Sequence, residues 1–325
     1  MSEKRLIEQI RRLALGGPSV VAGIGDDCAV LRVPPRHDLL VTTDFTIEKV
    51  HFRRDWHRPE LVGRRCLTRG LSDIAAMGGE PRAAFLSLAV SGDVPQRWVD
   101  RFLKGLLDLA GEFKVPLAGG DTAQSPAGIQ ADIVVVGSVP RGKAILRSGA
   151  KPGEQIYVTG ELGGAAAALA LLAESKPGAY LRRSSTYSSS HSSSYSASYS
   201  RPQARVAVGQ SLRRRGLATA MIDLSDGLST DLEHICQESH VGAEIEAEAI
   251  PRARVGGKKR VALEFALNGG DDYELLFTSA AAIPAQVAGV RVTRIGRTVQ
   301  SAGMRLVDAD GKKQALRAAG WEHFA

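Results

Sequence analysis

Leu39-Leu-Val-Thr-Thr-Asp44 starts as an apolar, partly β-branched run and ends on a carboxylate. Val115-Pro-Leu-Ala-Gly-Gly-Asp121 and Ala220-Met-Ile-Asp223 repeat that order. Short apolar runs of this kind read as strands, so three strands each deliver an acidic residue at or just past their ends. Ala83–Val90 and Ile133–Val139 read as further strands. Helices separate them. Pro59–Met77 closes on Gly78-Gly79, a stop signal. Gln96–Phe113 carries Trp98, Phe102, Leu106 and Leu109 at spacings of four and three, on one helical face. Strands alternating with helices predict a mixed α/β (α+β) fold.

The chain has 325 residues, more than a single domain usually holds, so two domains are expected. Pro140–Gly153 is rich in turn formers and charge and marks the boundary. This gives an N-terminal domain of residues 1–140 and a C-terminal domain of 141–325. In the second, Gln155–Thr159, Ala218–Asp223, Tyr273–Thr278 and Val290–Val299 read as strands. Helices are expected over 165–173, behind Gly160-Glu-Leu-Gly-Gly164, over Ala204–Arg215, and over Ser225–Ser239 with Asp226 in its first turn. Ser184–Ser200 is different: eleven of its seventeen residues are serine, and one alanine is its only aliphatic side chain. Such a segment buries too little surface to offset its ordering and reads as a disordered insertion.

A hydrophobic content of 44% with 24% charged residues is ordinary for a globular protein. No apolar run reaches the roughly 18 residues of a membrane span. Met1–Ile10 reads as an amphipathic helix start without a signal-peptide core. A cytoplasmic setting and no membrane partner are expected. Cys28, Cys66 and Cys236 lie far apart, without metal or disulfide spacing, which fits a reducing compartment. The net charge of +7 raises nucleic-acid binding as a question. The basic clusters Arg213-Arg-Arg215 and Lys258-Lys-Arg260 are short and not interleaved with aromatics. They read as solvated faces, and no nucleic-acid partner is expected. A basic balance equally suits a protein that handles anionic small molecules.

Six segments combine acidic residues with glycines or small residues: Gly23-Ile-Gly-Asp-Asp27, Thr42-Thr-Asp44, Leu71-Ser-Asp-Ile-Ala-Ala-Met-Gly-Gly79, Gly119-Gly-Asp121, Asp223-Leu-Ser-Asp-Gly227 and Gly269-Gly-Asp-Asp272. Any one of them alone can be a turn. Together they suggest a nucleotide site, because carboxylates are hard ligands suited to Mg²⁺ and glycines admit phosphate close to backbone N–H groups. Two carboxylates brought to 4 Å repel by roughly 4 kcal/mol at an effective dielectric of about 20. A fold that converges Asp26, Asp27, Asp44, Asp73, Asp121, Asp223 and Asp226 therefore needs cations. The P-loop, the dinucleotide fingerprint, the protein-kinase motifs and the nucleophile elbow are all missing from the sequence.

These segments occur in order with Val50-His-Phe52, Tyr273-Glu274 and a terminal Gly320-Trp-Glu-His-Phe324. The series resembles the thiamine-monophosphate kinase family over nearly the whole chain. The early motifs are shared with the wider group of aminoimidazole ribonucleotide synthetase-like ATP enzymes. The Val-His-Phe and Gly-Trp-x-His-Phe motifs resemble the thiamine-monophosphate branch. The resemblance implies a two-domain aminoimidazole ribonucleotide synthetase-like fold, with an N-terminal mixed sheet and helices at a dimer interface, plus a C-terminal α/β domain that completes the phosphate and substrate site. It implies a homodimer whose N-terminal domains build the ATP site across their interface. Several Mg²⁺ ions would be held by Asp27, Thr42, Thr43, Asp44, Asp73, Asp121, Asp223 and Asp226, with K⁺ a further candidate ion. Gly120, Arg147 and Ser225 would contact ATP, and His51, Asp271 and Trp321 would contact thiamine monophosphate.

Residue chemistry alone leaves several of these open. Trp321 can wall off an aromatic cation or be a satellite core contact. Arg147 can clamp a phosphate or lie solvated. Asp226 in a first helical turn is also explained by the helix dipole. Two departures from the family pattern stand out: Lys49 occupies a position where the family usually has glycine, and the 184–200 segment interrupts the run toward Arg201-Pro202.

The implied reaction is transfer of the ATP γ-phosphoryl group to the phosphate of thiamine monophosphate. A phosphate monoester has its second pKa near about 6, so the acceptor is already mostly dianionic and no catalytic general base is expected. Repulsion between the two anions is the obstacle, and metal ions answer it. Competing readings are a related ATP-dependent synthetase of the aminoimidazole ribonucleotide type, a non-catalytic nucleotide-binding module, and a basic nucleic-acid binder.

Overall fold

In the computed structural model the described residues are 3–14, 16–24, 28–174, 202–255 and 259–322. The serine-rich 184–200 segment and Asp27 lie outside them. The chain divides into two compact units. The first holds the residues up to Ile74 and Gly79–Gly142; the described part of the second holds Ala75–Gly78 and the chain from Lys143 onward.

The first unit contains α1 (Glu3–Leu13), β1 (Val20–Ala22), β2 (Val30–Leu31), β3 (His37–Ile47), α2 (Pro59–Ala76, its end reaching into the second unit's residues), β4 (Glu80–Val90), α3 (Gln96–Phe113), β5 (Leu117–Gln124) and β6 (Ile129–Pro140). Four strands form a sheet in the order β3-β6-β4-β5. The β4–β5 pair is parallel and the other two pairs are antiparallel. α3 has the bounds expected from its apolar stripe, and Trp98, Phe102, Leu106 and Leu109 are all buried. β3, β4 and β6 outrun the apolar stretches that announced them, because a ladder of backbone hydrogen bonds continues through polar residues as readily as through apolar ones. Asp44 and Asp121 therefore lie within strands rather than beyond them.

α2 and α3 cross at backbone distance. A Cβ on Gly63 would sit 1.9 Å from the Phe102 carbonyl oxygen, and one on Gly105 would sit 1.9 Å from that of Glu60. On the sheet, the row Thr42–Val135–Ala84 faces α2, where Gly70 packs against Val135 and Thr42. The opposite face leaves Leu39, Val41 and Phe45 of β3 exposed at 52%, 59% and 58%.

The second unit contains β7 (Gln155–Thr159), α4 (Gly164–Glu174), α5 (Val206–Arg214), β8 (Ala220–Asp223), α6 (Leu228–Ser239), β9 (Gly242–Glu246), β10 (Arg254–Val255), β11 (Lys259–Arg260), α7 (Leu263–Asn268), β12 (Leu275–Ser279), β13 (Gln286–Val287), β14 (Val290–Val299), β15 (Met304–Val307) and β16 (Lys313–Leu316). Its large sheet runs β16-β15-β9-β14-β7-β12-β8, with β13 on β14. Ile156, Val158, Ile222, Leu232, Ile245 and Leu276 are at the heart of its core.

Two expectations are corrected here. α6 begins at Leu228, not Ser225, because Gly227 at its N-cap has φ 120°, outside the helical region. Asp226 thus precedes the helix, and Asp231 is the acid of its first turn. The strand expected from Tyr273 begins at Leu275, because Asp271 (φ 67°) and Tyr273 (φ 53°) are both left-handed.

Candidate functional site

In the first unit the acidic residues fall into two groups. Thr42 and Asp44, two apart on β3, share the sheet face toward α2. The Thr42 hydroxyl donates to Asp73 Oδ2 on that helix. Arg69, one helical turn before Asp73, brings Nη1 to 3.9 Å from Asp44 Oδ1. Thr43 points to the other face. Asp121 belongs to a different row, Phe45–Asp132–Ser87–Asp121, which also lies on that other face. β3 and β5 are the two edges of the sheet, three strand spacings or about 14 Å apart. The sheet therefore brings Thr42 and Asp44 to the side of Asp73 and keeps Asp121 away from them.

Among the described residues no three His, Cys, Asp or Glu side chains form a metal cage. Mg²⁺ does not require one. It is commonly bound by one or two carboxylates, with water and substrate phosphates filling its shell. The all-oxygen set of Thr42, Asp44 and Asp73 fits such an ion.

A cavity of about 570 Å³ opens beside β5, lined by Ile7 and Ile10 of α1 together with Phe85, Leu117, Gly120 and Asp121. Gly120 has φ 149°, and a Cβ there would lie 1.9 Å from the Leu86 carbonyl oxygen. No other residue type fits, so the cavity's glycine rim is a packing requirement as well as an open approach for a ligand.

His51 sits on the turn after β3, where its Nδ1 accepts from the Ile47 N–H at 3.0 Å. The turn passes through Lys49 at φ 71°. Glycine takes that backbone freely, whereas lysine keeps the turn only under strain.

In the second unit Asp223 ends β8 and is buried, while Ser225 and Asp226 are half-buried on the turn before α6. Asp231 Oδ2 holds that turn, accepting from the N–H groups of Asp226 (3.2 Å) and Gly227 (3.0 Å). Burial pushes the Asp231 carboxyl up to about 7; Asp226 adds to this, and the two N–H bonds and the charge of Arg147 oppose it. Arg147 is exposed. The Asp271 N–H donates to the Ser225 carbonyl at 2.8 Å, and the Trp321 N–H donates to the Asp226 carbonyl at 3.0 Å. Ser225, Asp226, Asp271 and Trp321 are thus gathered around one turn. The Asp271 carboxylate accepts from the hydroxyl of fully buried Tyr273 at 2.6 Å. Trp321 is 52% exposed and is no core contact.

Three residues that shape these groups were given no role by the sequence reading: Arg69 and Asp231, which it did not single out, and Tyr273, which it quoted only within a motif and at the start of a strand. Each carried a signal. Arg69 is four residues before Asp73, Asp231 is five after Asp226, and Tyr273 sits two beyond Asp271. Local spacing puts each beside its partner, yet none of the three is acidic and glycine-flanked.

Comparison with known proteins gives a consistent result. Residues 25–139 match the N-terminal domain of the AIR synthase related proteins, and residues 151–309 match their C-terminal domain. A thiamine-monophosphate kinase of Escherichia coli (strain K12) is 37% identical over 338 aligned positions, covering 99% of this chain and 96% of that protein. The crystal structure of thiamine-monophosphate kinase from Stenotrophomonas maltophilia K279a superposes with a TM-score of 0.79 at 33% identity, covering 97% of this chain and 98% of that one. A ThiL structure complexed with AMPPCP and TMP superposes with a TM-score of 0.73 at 31% identity, covering 99% of this chain and 97% of that one.

Proposed function

The chain belongs to the thiamine-monophosphate kinase family, and on that premise we propose how its residues carry the reaction: direct, metal-assisted transfer of the ATP γ-phosphoryl group to the phosphate of thiamine monophosphate, giving thiamine diphosphate and ADP. The observation that carries this reading is the contact between Thr42 on β3 and Asp73 on α2 with Asp44 on the same face, an all-oxygen set suited to Mg²⁺. Magnesium bound there would neutralise phosphate charge and favour in-line geometry.

The protein's own part is positioning. Thr42, Thr43, Asp44, Asp73 and Asp121 are the metal-side residues of the first unit, with Asp27 beside them in sequence order; Asp223 and Asp226 are those of the second. Gly120 and the cavity beside it suit the nucleoside end of ATP, with Arg147 and Ser225 on its phosphates. On the acceptor side, His51 and Asp271 are the polar contacts, and the exposed indole of Trp321 offers a face to the cationic rings of thiamine. The acceptor phosphate attacks as a dianion, so no side chain has to take a proton.

A homodimer is part of the proposal. Leu39, Val41 and Phe45 form an exposed apolar strip on an edge strand, which supports burial against a second copy. Asp132, on the same face, has its carboxyl raised by burial. The separation of Asp44 from Asp121 supports the same view, since a site needing both edges is complete only when a second sheet is added. Among the described residues no helix is long and apolar enough to cross a membrane. We place the reaction in the cytoplasm on the strength of three free cysteines.

Phosphorus NMR of the protein with ATP, Mg²⁺ and thiamine monophosphate tests the proposal, with controls lacking metal or acceptor. Metal-dependent growth of thiamine diphosphate with matching ADP is the expected result. ATP binding without transfer would refute it.

A further inference from the structure

Three successive backbone amides of the arm that follows β16 end at the start of α6, two on side chains of its first turn and one on a carbonyl just before it. The Ala319 N–H donates to Ser229 Oγ at 3.2 Å, the Gly320 N–H to Thr230 Oγ1 at 3.0 Å, and the Trp321 N–H to the Asp226 carbonyl at 3.0 Å. The fit is close. A Cβ on Gly320 would lie 2.2 Å from the Asp226 oxygen and 2.6 Å from Thr230 Oγ1. Ser229, which is buried, passes its own proton to Asn268 Oδ1 at 2.7 Å, so that hydroxyl is used in both directions. A hydroxyl in the first turn of a helix commonly serves its own backbone. Here two of them accept from a distant segment instead. Past Leu316 the described arm has no helix or strand of its own, so these bonds set its register.

We propose that Thr230 and Ser229 are positioning residues for the acceptor: they fix the arm so that Trp321 stands beside the turn carrying Ser225 and Asp226. The inference rests on the reading that Trp321 contacts thiamine monophosphate. It adds that acceptor affinity is set from α6, through main-chain amides, by side chains that themselves touch no substrate.

Thr230→Val tests it, because valine keeps the shape and removes the acceptor for the Gly320 N–H. The expected result is a rise of roughly tenfold in KM for thiamine monophosphate, from one lost hydrogen bond and one stranded N–H. KM for ATP and kcat at saturating acceptor stay at parental values. Thr230→Ser restores the parental KM, and hydrogen exchange at amides 319–321 quickens in the valine variant alone. An unchanged acceptor KM in Thr230→Val, or equal losses on both substrates, overturns the inference. Trp321→Ala, measured alongside, separates the two layers. If it raises the acceptor KM while Thr230→Val does not, the positioning role falls and the contact stands. If Trp321→Ala leaves that KM unchanged, the contact itself falls and the inference with it.

Discussion

Asp272→Asn should flatten the pH dependence of stability by about one proton. Asp272 is buried, and its carboxylate accepts from the N–H groups of Gly163 (2.6 Å) and Ala165 (3.4 Å) at the start of α4. Burial pushes its carboxyl from an ordinary 3.8 up to about 8; the two N–H bonds oppose the rise, and Glu274 and Asp271 add to it. The sign is that of a raised acid. The folded protein keeps a proton that the unfolded chain releases near 3.8, so this residue's stabilising contribution is fully present below that pH and is lost as pH climbs toward about 8. Between those limits the loss is about 1.4 kcal/mol per pH unit, with a ceiling on the order of 5 kcal/mol across the window. Asparagine does not titrate there, and its side-chain oxygen can still accept from Gly163. Urea unfolding followed by circular dichroism, from about pH 5 to pH 7.5, would give two stability lines whose slopes differ by about 1.4 kcal/mol per unit. Asp231, raised to about 7, contributes equally to both lines and cancels from their difference. Parallel lines would show that Asp272 is ionised in the folded protein and that the desolvation argument is wrong.

Three other substitutions address other parts of the molecule. Asp44→Asn should lower kcat by roughly a hundredfold or more while the melting profile is kept; near-parental turnover would contradict the metal assignment. Val41→Asp should convert the proposed dimer to monomers, because losing about 1–2 kcal/mol of apolar burial on each of two symmetric copies raises the dissociation constant about a hundredfold; an unchanged mass by light scattering at low micromolar concentration would dismiss that face. Lys49→Gly should stabilise by about 0.5–1 kcal/mol, since relief of a left-handed lysine exceeds the entropy that glycine adds to the unfolded chain; a lower melting temperature would refute it.

The sequence disclosed most where chemistry and periodicity coincide. The stripe of Trp98, Phe102, Leu106 and Leu109 fixes α3 residue for residue, since burying one helical face dictates both its length and its spacing. The acidic, glycine-flanked segments pointed to the turn before α6 and to β3. What stayed hidden depends on pairs distant in sequence or on backbone conformation. That Asp44 and Asp121 occupy opposite faces and edges of one sheet follows from strand order, which no local spacing encodes. The late start of α6 follows from the φ of Gly227, and the docking of Gly320 on Thr230 joins residues 90 apart.

The backbone crossing of α2 and α3 also decides where this scaffold can vary. With carbonyl oxygens 1.9 Å from where side chains would begin at Gly63 and Gly105, neither helix can slide along the other or accept a methyl group at the junction. Asp73, ten residues along α2 from Gly63, is therefore held as though by a machined key. β3 is held differently, by its ladder to β6 along His37–Ile47 and by the close approach of Gly70 on α2 to Thr42. Any search for tolerated variation in this unit should therefore leave Gly63 and Gly105 untouched, since a side chain at either would drive the two helices apart.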